Sequence, residues 1–291
     1  MRLCKPSFEI LEQQCGLEGV YKQIELAGRT CYKSYDKITE DSAKEFVDRM
    51  IKSGHGAMLE HGTVYLHIPN DDINRNFYYS RYRRNQYSKC NYFENIHGKP
   101  SMNLCITTNM RVLIENGWLN DLQYLCKPTE YHAKRVTIKF ICDNGVAREF
   151  CRHRVFSFAQ ESTRYCNYSK NKFGNELTFI QPCWGMSHTG NYHGIDNFDG
   201  DYYEHNLRDA EQYYFKLLEL GWKPQQARNV LPLALKTELV MTGFVSDWKH
   251  FFELRDANSA HPQAKELAHP LHMEFLSRGY LVDLYDEANP D

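Results

Sequence analysis

The stretch VTIKFICDNGVAREFCRHRVFSFAQESTRY, residues 136–165, decides how this chain is read. Val136, Ile138, Phe140 and Cys142 recur at the period of two that marks a half-buried strand. From Val146 to Arg154 no Gly or Pro interrupts the chain, so a helix is expected to run into Arg152-His153-Arg154. Two permanent cations flanking a histidine are costly to bury unless they meet an anion. Phe150, Cys151, Val155, Phe156 and Phe158 around them are apolar, which points to part-burial. Arg164 adds a third guanidinium, and Gln160, Glu161, Ser162 and Thr163 supply polar atoms beside it. Guanidinium forks match phosphate and carboxylate oxygens and face planar rings, so the segment reads as a grip on a phosphorylated, ring-bearing ligand. The competing reading is a solvated basic helix face.

Working outward, Val64, Leu66 and Ile68 alternate in TVYLHI (63–68), a second strand expected to pair antiparallel with 136–142. Ser42-Ala43-Lys44-Glu45 has the form of a capping box, with Ala43, Phe46, Val47, Met50 and Ile51 on one helical face and Ser53-Gly54 as the stop. The C-terminal half reads as helical. One helix is expected over about 202–220, with Leu207, Ala210, Tyr214, Leu217 and Leu218 inward and Gly221 ending it. A short helix follows from Pro224 through Val230, and Ser246 is expected to cap another that carries Trp248, Phe251, Phe252 and Arg255. Pro262 opens the last, with Ala264, Leu267, Ala268, Leu271 and Phe275 as core and a kink at Pro270. Residues 69–133 show weak patterns, and 184–200 reads as a long Gly/Asn/Asp-rich loop. With no repeat or linker, the expectation is one α+β domain over 1–291. It has a central, mostly antiparallel sheet flanked by helices.

Basic and acidic residues nearly cancel, 35 against 37, so no global field announces nucleic acid or an anionic membrane. The 10 cysteines contain no CxxC pair, and the N-terminus has no apolar leader core. Reduced thiols, a cytoplasmic location and no membrane span are expected.

Three other chemistries compete. His55, Glu60 and His61 in HGAMLEH lack the HExxH spacing and a cysteine partner, so they read as a polar elbow and no metal site is expected. RNFYYSRYRRNQYSKCNYF (75–93) interleaves Arg and Tyr as single-stranded nucleic-acid binders do, but the near-zero net charge favours a surface excursion. Ser162, Cys151 or Cys166 near His153 could serve as nucleophile. There is no G-x-S-x-G elbow, a phosphate-ligand role suits Ser162 better, and the cysteines read as packing residues. Neither G-x-G-x-x-G nor a Walker loop is present, so a nucleotide cofactor would be held by side chains.

RHR, seven residues, then Ser resembles the signature of the flavin-dependent thymidylate synthases. GRTCYKS (28–34), the His55…Glu60-His61 elbow, ARNVLPLALKTE (227–238) and FFELRDANSAHPQAKELA (251–268) extend the resemblance over most of the chain. The exception is an insertion at about 70–133. The resemblance implies methylation of dUMP to dTMP, with methylenetetrahydrofolate as carbon donor, NADPH-reduced FAD as hydride donor and a homotetramer with shared sites. No protein cysteine attacks the uracil in such enzymes.

Carried over by position, the dUMP set is Glu149, Arg152, Gln160, Glu161, Ser162, Thr163, Arg164, Arg228 and Arg255, with Ser162 and Arg164 toward the phosphate. Arg255 matches the catalytic arginine that ionises N3 of the uracil. The FAD set is Ala57, Arg152, His153, Arg154, Gln160, His250 and His261. Some neighbours depart from the pattern. Glu149 stands where members carry Gln, and its charge would need Arg148, Arg152 or a proton to compensate. Gln160 replaces a frequent Glu, Ala57 a frequent Thr or Ser, and Phe244-Val245-Ser246 the usual Asn-x-Arg. The departures at Glu149 and Phe244 to Ser246 keep open a catalytically inactive nucleotide- and flavin-binding relative, and residues 75–93 with the RHR cluster keep open a single-stranded nucleic-acid-binding protein.

Overall fold

The computed structural model describes residues 1–69, 72–94, 102–170, 174–184, 191–192, 195–196 and 199–281. The N-terminal part runs β1 (Arg2–Cys4), β2 (Ser7–Leu11), α1 (Gly16–Tyr32), α2 (Ser42–Lys52), α3 (Gly56–Leu59) and β3 (Thr63–Ile68). Next come α4 (Asp72–Arg83), β4 (Lys89–Glu94), β5 (Met102–Asn109), α5 (Met110–Glu115), β6 (Arg135–Asp143), α6 (Asn144–Phe150), β7 (Ser157–Gln160) and β8 (Thr178–Ile180). The rest is β9 (Asn191–Tyr192), β10 (Ile195–Asp196), α7 (Asp199–Glu219), α8 (Pro224–Ala227), β11 (Lys236–Phe244), α9 (Val245–Arg255) and α10 (Pro262–Ser277).

The main sheet has the order β2-β6-β11-β7, antiparallel throughout. Alternation in β6 puts Ile138, Phe140 and Cys142 on one face, against Phe150 of α6, Trp248 and Phe251 of α9, and Leu271 and Phe275 of α10. Each of these side chains contributes roughly 1.5–3 kcal/mol by burial. On the opposite face Ala159 of β7 and Val240 of β11 pack against Ala27 of α1. The α+β class with helices flanking an antiparallel sheet is therefore present.

Several local expectations need correction. The helical C-terminal half also contributes β11, the sheet's central strand. It is paired on both sides and buried on both faces, so it shows no polar alternation. Gly243 is required in it, because a Cβ there would lie 2.6 Å from the Phe156 ring. β3 does not pair with β6, both of whose edges are taken by β2 and β11. It joins β5 in a separate sheet ordered β3-β5-β4. That sheet makes a second core with α1 and α2 through Val20, Ile24, Phe46, Leu66, Tyr82 and Ile106. Residues 75–93 are a surface excursion in part, with Phe77, Arg83, Arg84 and Tyr87 exposed and Tyr78 and Tyr79 half-buried, but Tyr82 is buried, and Arg81 lies 4.3 Å over Trp118 and bonds Asp121.

α2 forms without its capping box, because Ser42 Oγ donates to Glu25 at 2.8 Å instead. Asp247, not Ser246, satisfies the start of α9 by accepting from Phe244 N at 2.9 Å. α10 continues through Pro270, with all five expected core residues buried. α7 buries Leu207 and Tyr214 in a core with Phe179 of β8, Ala210 is buried as well, and Gly221 follows the end of the helix at φ 90°. Most of the expected 184–200 loop lies outside the described residues; β9 and β10 form a short antiparallel pair within it.

Candidate active site

α6 places the first group of site residues. Asp143 Oδ1 accepts from Val146 N at 2.7 Å and starts the helix earlier than the sequence suggested. Phe150 is buried and the helix stops there, short of the basic cluster. The chain then turns, with His153 N bonding Phe150 O and Phe156 N bonding His153 O, both at 3.1 Å. This turn drives His153 inward, against the Phe251 ring at 5.1 Å. Arg255, the last residue of α9, donates from Nε to His153 Nε2 at 3.0 Å. Its other donors reach Glu149 Oε2 at 2.7 Å and Glu149 O at 2.8 Å. His153 is therefore neutral with its proton on Nδ1, and burial, then Arg255, His250 and Arg152, pushes its pKa down to about 4. The charge of Glu149 is met by Arg255, in place of the expected Arg148, Arg152 or proton. Arg152 and Arg154 are exposed and pair with no carboxylate among the described residues.

The second group sits at the end of β7. Gln160 Nε2 lies 3.3 Å from both Asn144 Oδ1 and Thr237 Oγ1. Ser162 N donates to Cys31 O at 3.0 Å, and Ser162 Oγ accepts from Arg164 N at 3.3 Å, which folds the turn. Arg228 Nη1 donates to Thr163 Oγ1 at 3.1 Å. Gln160, Ser162, Thr163, Arg148 and Arg228 line one cleft of about 550 Å³. Neither guanidinium there meets a carboxylate among the described residues, so the cleft suits an anion. α6 joins the two groups, with Arg148 in the cleft and the adjacent Glu149 on Arg255.

Glu161 also borders the cleft, but its carboxylate is committed elsewhere. It accepts from Tyr168 OH and from Lys236 Nζ, each at 2.9 Å. Glu238 shares Lys236 and takes Lys33 at 2.6 Å, Lys139 at 3.1 Å and Tyr35 OH at 2.7 Å. Burial opposes the Glu238 charge, but Lys236, Lys33 and Lys139 hold its pKa well below the ordinary carboxylate range. This network ties the end of α1 to the Ser162 turn. The sequence reading missed it; Lys236 and Glu238, two apart on one face of a buried strand, were its only local signal.

The remaining candidates are spread out. Arg164 is exposed over Tyr165 at 5.4 Å, outside the cleft. His250 is exposed, bonds Glu253 at 3.1 Å and stands 6.2 Å from the His153 ring. His261 sits 6.1 Å from Trp184 and borders a 390 Å³ recess with Arg148 and Glu149. Ala57 is exposed on α3. His61 is buried with Nδ1 on Thr242 Oγ1 at 2.8 Å, and among the described residues no group of His, Cys, Asp and Glu could hold a metal. Burial raises the Cys151 thiol pKa, which argues against it as a nucleophile.

Residues 128–277 match the family model described as thymidylate synthase complementing protein. A probable flavin-dependent thymidylate synthase of Paramecium bursaria Chlorella virus 1 is 27% identical over 140 residues, which cover 46% of this chain and 62% of that protein. A flavin-dependent thymidylate synthase of Thermococcus onnurineus is 26% identical over 127 residues, 44% of this chain and 48% of that protein. The match thus spans about half the length of these curated relatives. Among solved structures, the UMP/dUMP methylase PolB of Streptomyces cacaoi aligns over 95% of this chain and 93% of its own, with 17% identity and a TM-score of 0.42. The family-model match covers just over half of the chain and runs through both groups of site residues, from Glu149 to Arg255. This chain belongs to the thymidylate synthase complementing protein family.

Proposed function

We propose that this chain is a flavin-dependent thymidylate synthase that methylates dUMP to dTMP. The carrying observation is the cleft where Ser162, Thr163, Arg148 and Arg228 converge, joined through α6 to the clamped Arg255. Arg148 and Arg228 would supply the charge for the 5′-phosphate, and the Ser162 and Thr163 hydroxyls would fix its position. Arg255, held on two sides by Glu149 and braced by His153, would place a fixed cation at the uracil. Charge developing on the ring would be stabilised there without reorganisation of the site.

The residues at hand fit a flavin dinucleotide. Arg152 and Arg154 are exposed guanidiniums without carboxylate partners among the described residues, as a pyrophosphate requires; neutral His153 lies between them, with the His250 ring 6.2 Å from it. Bound FAD, reduced by NADPH, would supply the hydride, with methylenetetrahydrofolate as the carbon source. Lys89 of β4 bonds Ser246 and lies 4.5 Å over Phe244, so residues of the 70–133 insertion reach the place where the usual Asn-x-Arg is missing. Ala57, Arg154 and Arg164 are exposed and do not line the cleft around Ser162, which supports completion of the site by further copies in a homotetramer. The ten cysteines are unbridged, and among the described residues no helix is long and apolar enough to cross a membrane. Both facts accord with the proposed cytoplasmic location.

Purified protein should be yellow and oxidise NADPH in a dUMP-dependent way, and light scattering should give a tetramer. Binding of flavin and dUMP without dTMP would indicate an inactive relative. A colourless protein with strongly salt-dependent RNA binding would indicate a nucleic-acid binder.

A further inference from the structure

A separate cleft of about 440 Å³ opens where β3 and the segment before β6 meet the end of β2 and the start of α1. It shares no lining residue with the cleft around Ser162. Its walls are fixed in place. Gln13 closes on Thr63 with two hydrogen bonds of 2.8 Å. Cys126 N donates to Tyr65 O at 3.0 Å, and buried His132 donates from Nε2 to Leu66 O at 3.1 Å. His132 Nδ1 then accepts from the Thr129 hydroxyl at 2.9 Å, which anchors the outer wall.

The interior combines an apolar wall with a buried guanidinium that forms no ion pair within 4 Å among the described residues. Ile10, Val20, Leu125 and Val136 line it together with the Tyr65 ring. Arg135 lines it as well, and among the described residues its side-chain hydrogen bonds go to neutral acceptors: Glu60 O, Thr63 Oγ1 and Ser157 Oγ. Burial draws its pKa down to about 10, with Tyr65, Glu60 and Asp247 opposing only in part. The charges at the mouth are largely spoken for: Glu12 pairs with Arg278 at 2.7 Å, and Lys134 lies 3.6 Å over the Tyr280 ring. Glu130 is exposed at the rim. A preformed cleft of this size, with an aliphatic wall on one side and Gln13, Thr129, His132 and Arg135 among its polar lining, has the form of a small-molecule site.

We propose that this cleft binds a small planar molecule carrying one anionic group, a carboxylate or a phosphate. The anion is drawn to Arg135 and the ring packs against Tyr65 and the aliphatic wall. The stretch preceding β6 supplies one whole side of the cleft, so the site gives the insertion a function distinct from dUMP methylation.

Calorimetry on the full chain with four probes tests this without reference to turnover. The probes are benzoate (ring with one carboxylate), phenyl phosphate (ring with phosphate), inorganic phosphate and benzamide. One of the first two should bind saturably, and which one names the anion. Arg135→Gln should weaken that binding about tenfold or more, the loss expected for a charge-assisted hydrogen bond. Gln14→Trp, a change at an exposed rim position, should block it while leaving Arg135 in place. Arg255→Ala should leave it unchanged, which separates this site from the dUMP cleft. If Arg135→Gln fails to fold, Gln14→Trp decides alone. The proposal is overturned if no ringed anion binds, if benzamide binds equally well, or if Gln14→Trp leaves binding intact.

Discussion

Arg255 donates its Nε–H to His153 Nε2 at 3.0 Å, so the one buried histidine of the RHR cluster is held as a neutral acceptor by the residue expected to act on the uracil. The pair joins the C-terminus of α9 to the turn after α6, 102 residues apart in sequence. Arg255→Ala removes both the cation proposed to act on the substrate and this brace. Turnover should fall at least about a hundredfold, the range for loss of a preorganised electrostatic group, while flavin remains bound through Arg152, Arg154 and His250. The His153 pKa should also rise from about 4 toward the ordinary histidine range, because the second of its depressing causes is gone. Burial, the first cause, stays, so the rise should be partial. An NMR titration of His153 reads this directly; no movement would mean that the pair is not formed in solution.

Ser162→Ala should raise the KM for dUMP more than it lowers kcat. The hydroxyl is placed to bond a charged oxygen in the cleft, an interaction of about 1.5–3 kcal/mol. A roughly tenfold to hundredfold loss of dUMP affinity is the expected result. Loss of the chemical step with dUMP affinity intact would return Ser162 to the status of a nucleophile candidate.

Lys236→Met should destabilise the fold by about 3–5 kcal/mol in urea, because it strips a buried counter-charge from Glu161 and Glu238 together. A change below 1 kcal/mol, on the order of a surface pair, would show that the network is solvated.

Stability should also fall on acidification before the carboxylates titrate. Burial, then Arg135, lowers the His61 pKa to about 3. Above about pH 6.5 the ring is neutral in both folded and unfolded chains, so it adds no pH dependence. As pH falls below that point, the unfolded chain takes up a proton that the folded chain refuses. Stability is lost until pH reaches the folded value, at about 1.4 kcal/mol per pH unit where the difference is fully expressed. His153 adds the same trend down to about pH 4. His61→Gln should flatten the slope between pH 6 and pH 4 in thermal melts; an unchanged slope would contradict the assignment.

The parts of the fold legible from sequence were those with one polar and one apolar face. β6 shows its alternation because Lys139 faces the polar network while Phe140 faces the core. α10 shows its five core residues because the opposite side is exposed. β11 offered no such contrast, because both of its faces and both of its edges are buried. The partner of β3 was hidden for another reason: its true neighbour, β5, lies in a stretch with weak patterning. In the candidate site, the residues along the RHR-to-Ser162 segment could be read because they are contiguous. The partners that hold them could not. Arg255 meets Glu149 across 106 residues and Lys33 meets Glu238 across 205, and no spacing rule links positions so far apart.

The most direct test is dTMP formation by the purified chain supplied with dUMP, methylenetetrahydrofolate, FAD and NADPH. The account predicts dTMP at a rate that requires all four components and is lost in Arg255→Ala. Tight binding of dUMP and flavin with no dTMP above background, under conditions where a known member turns over, would contradict it.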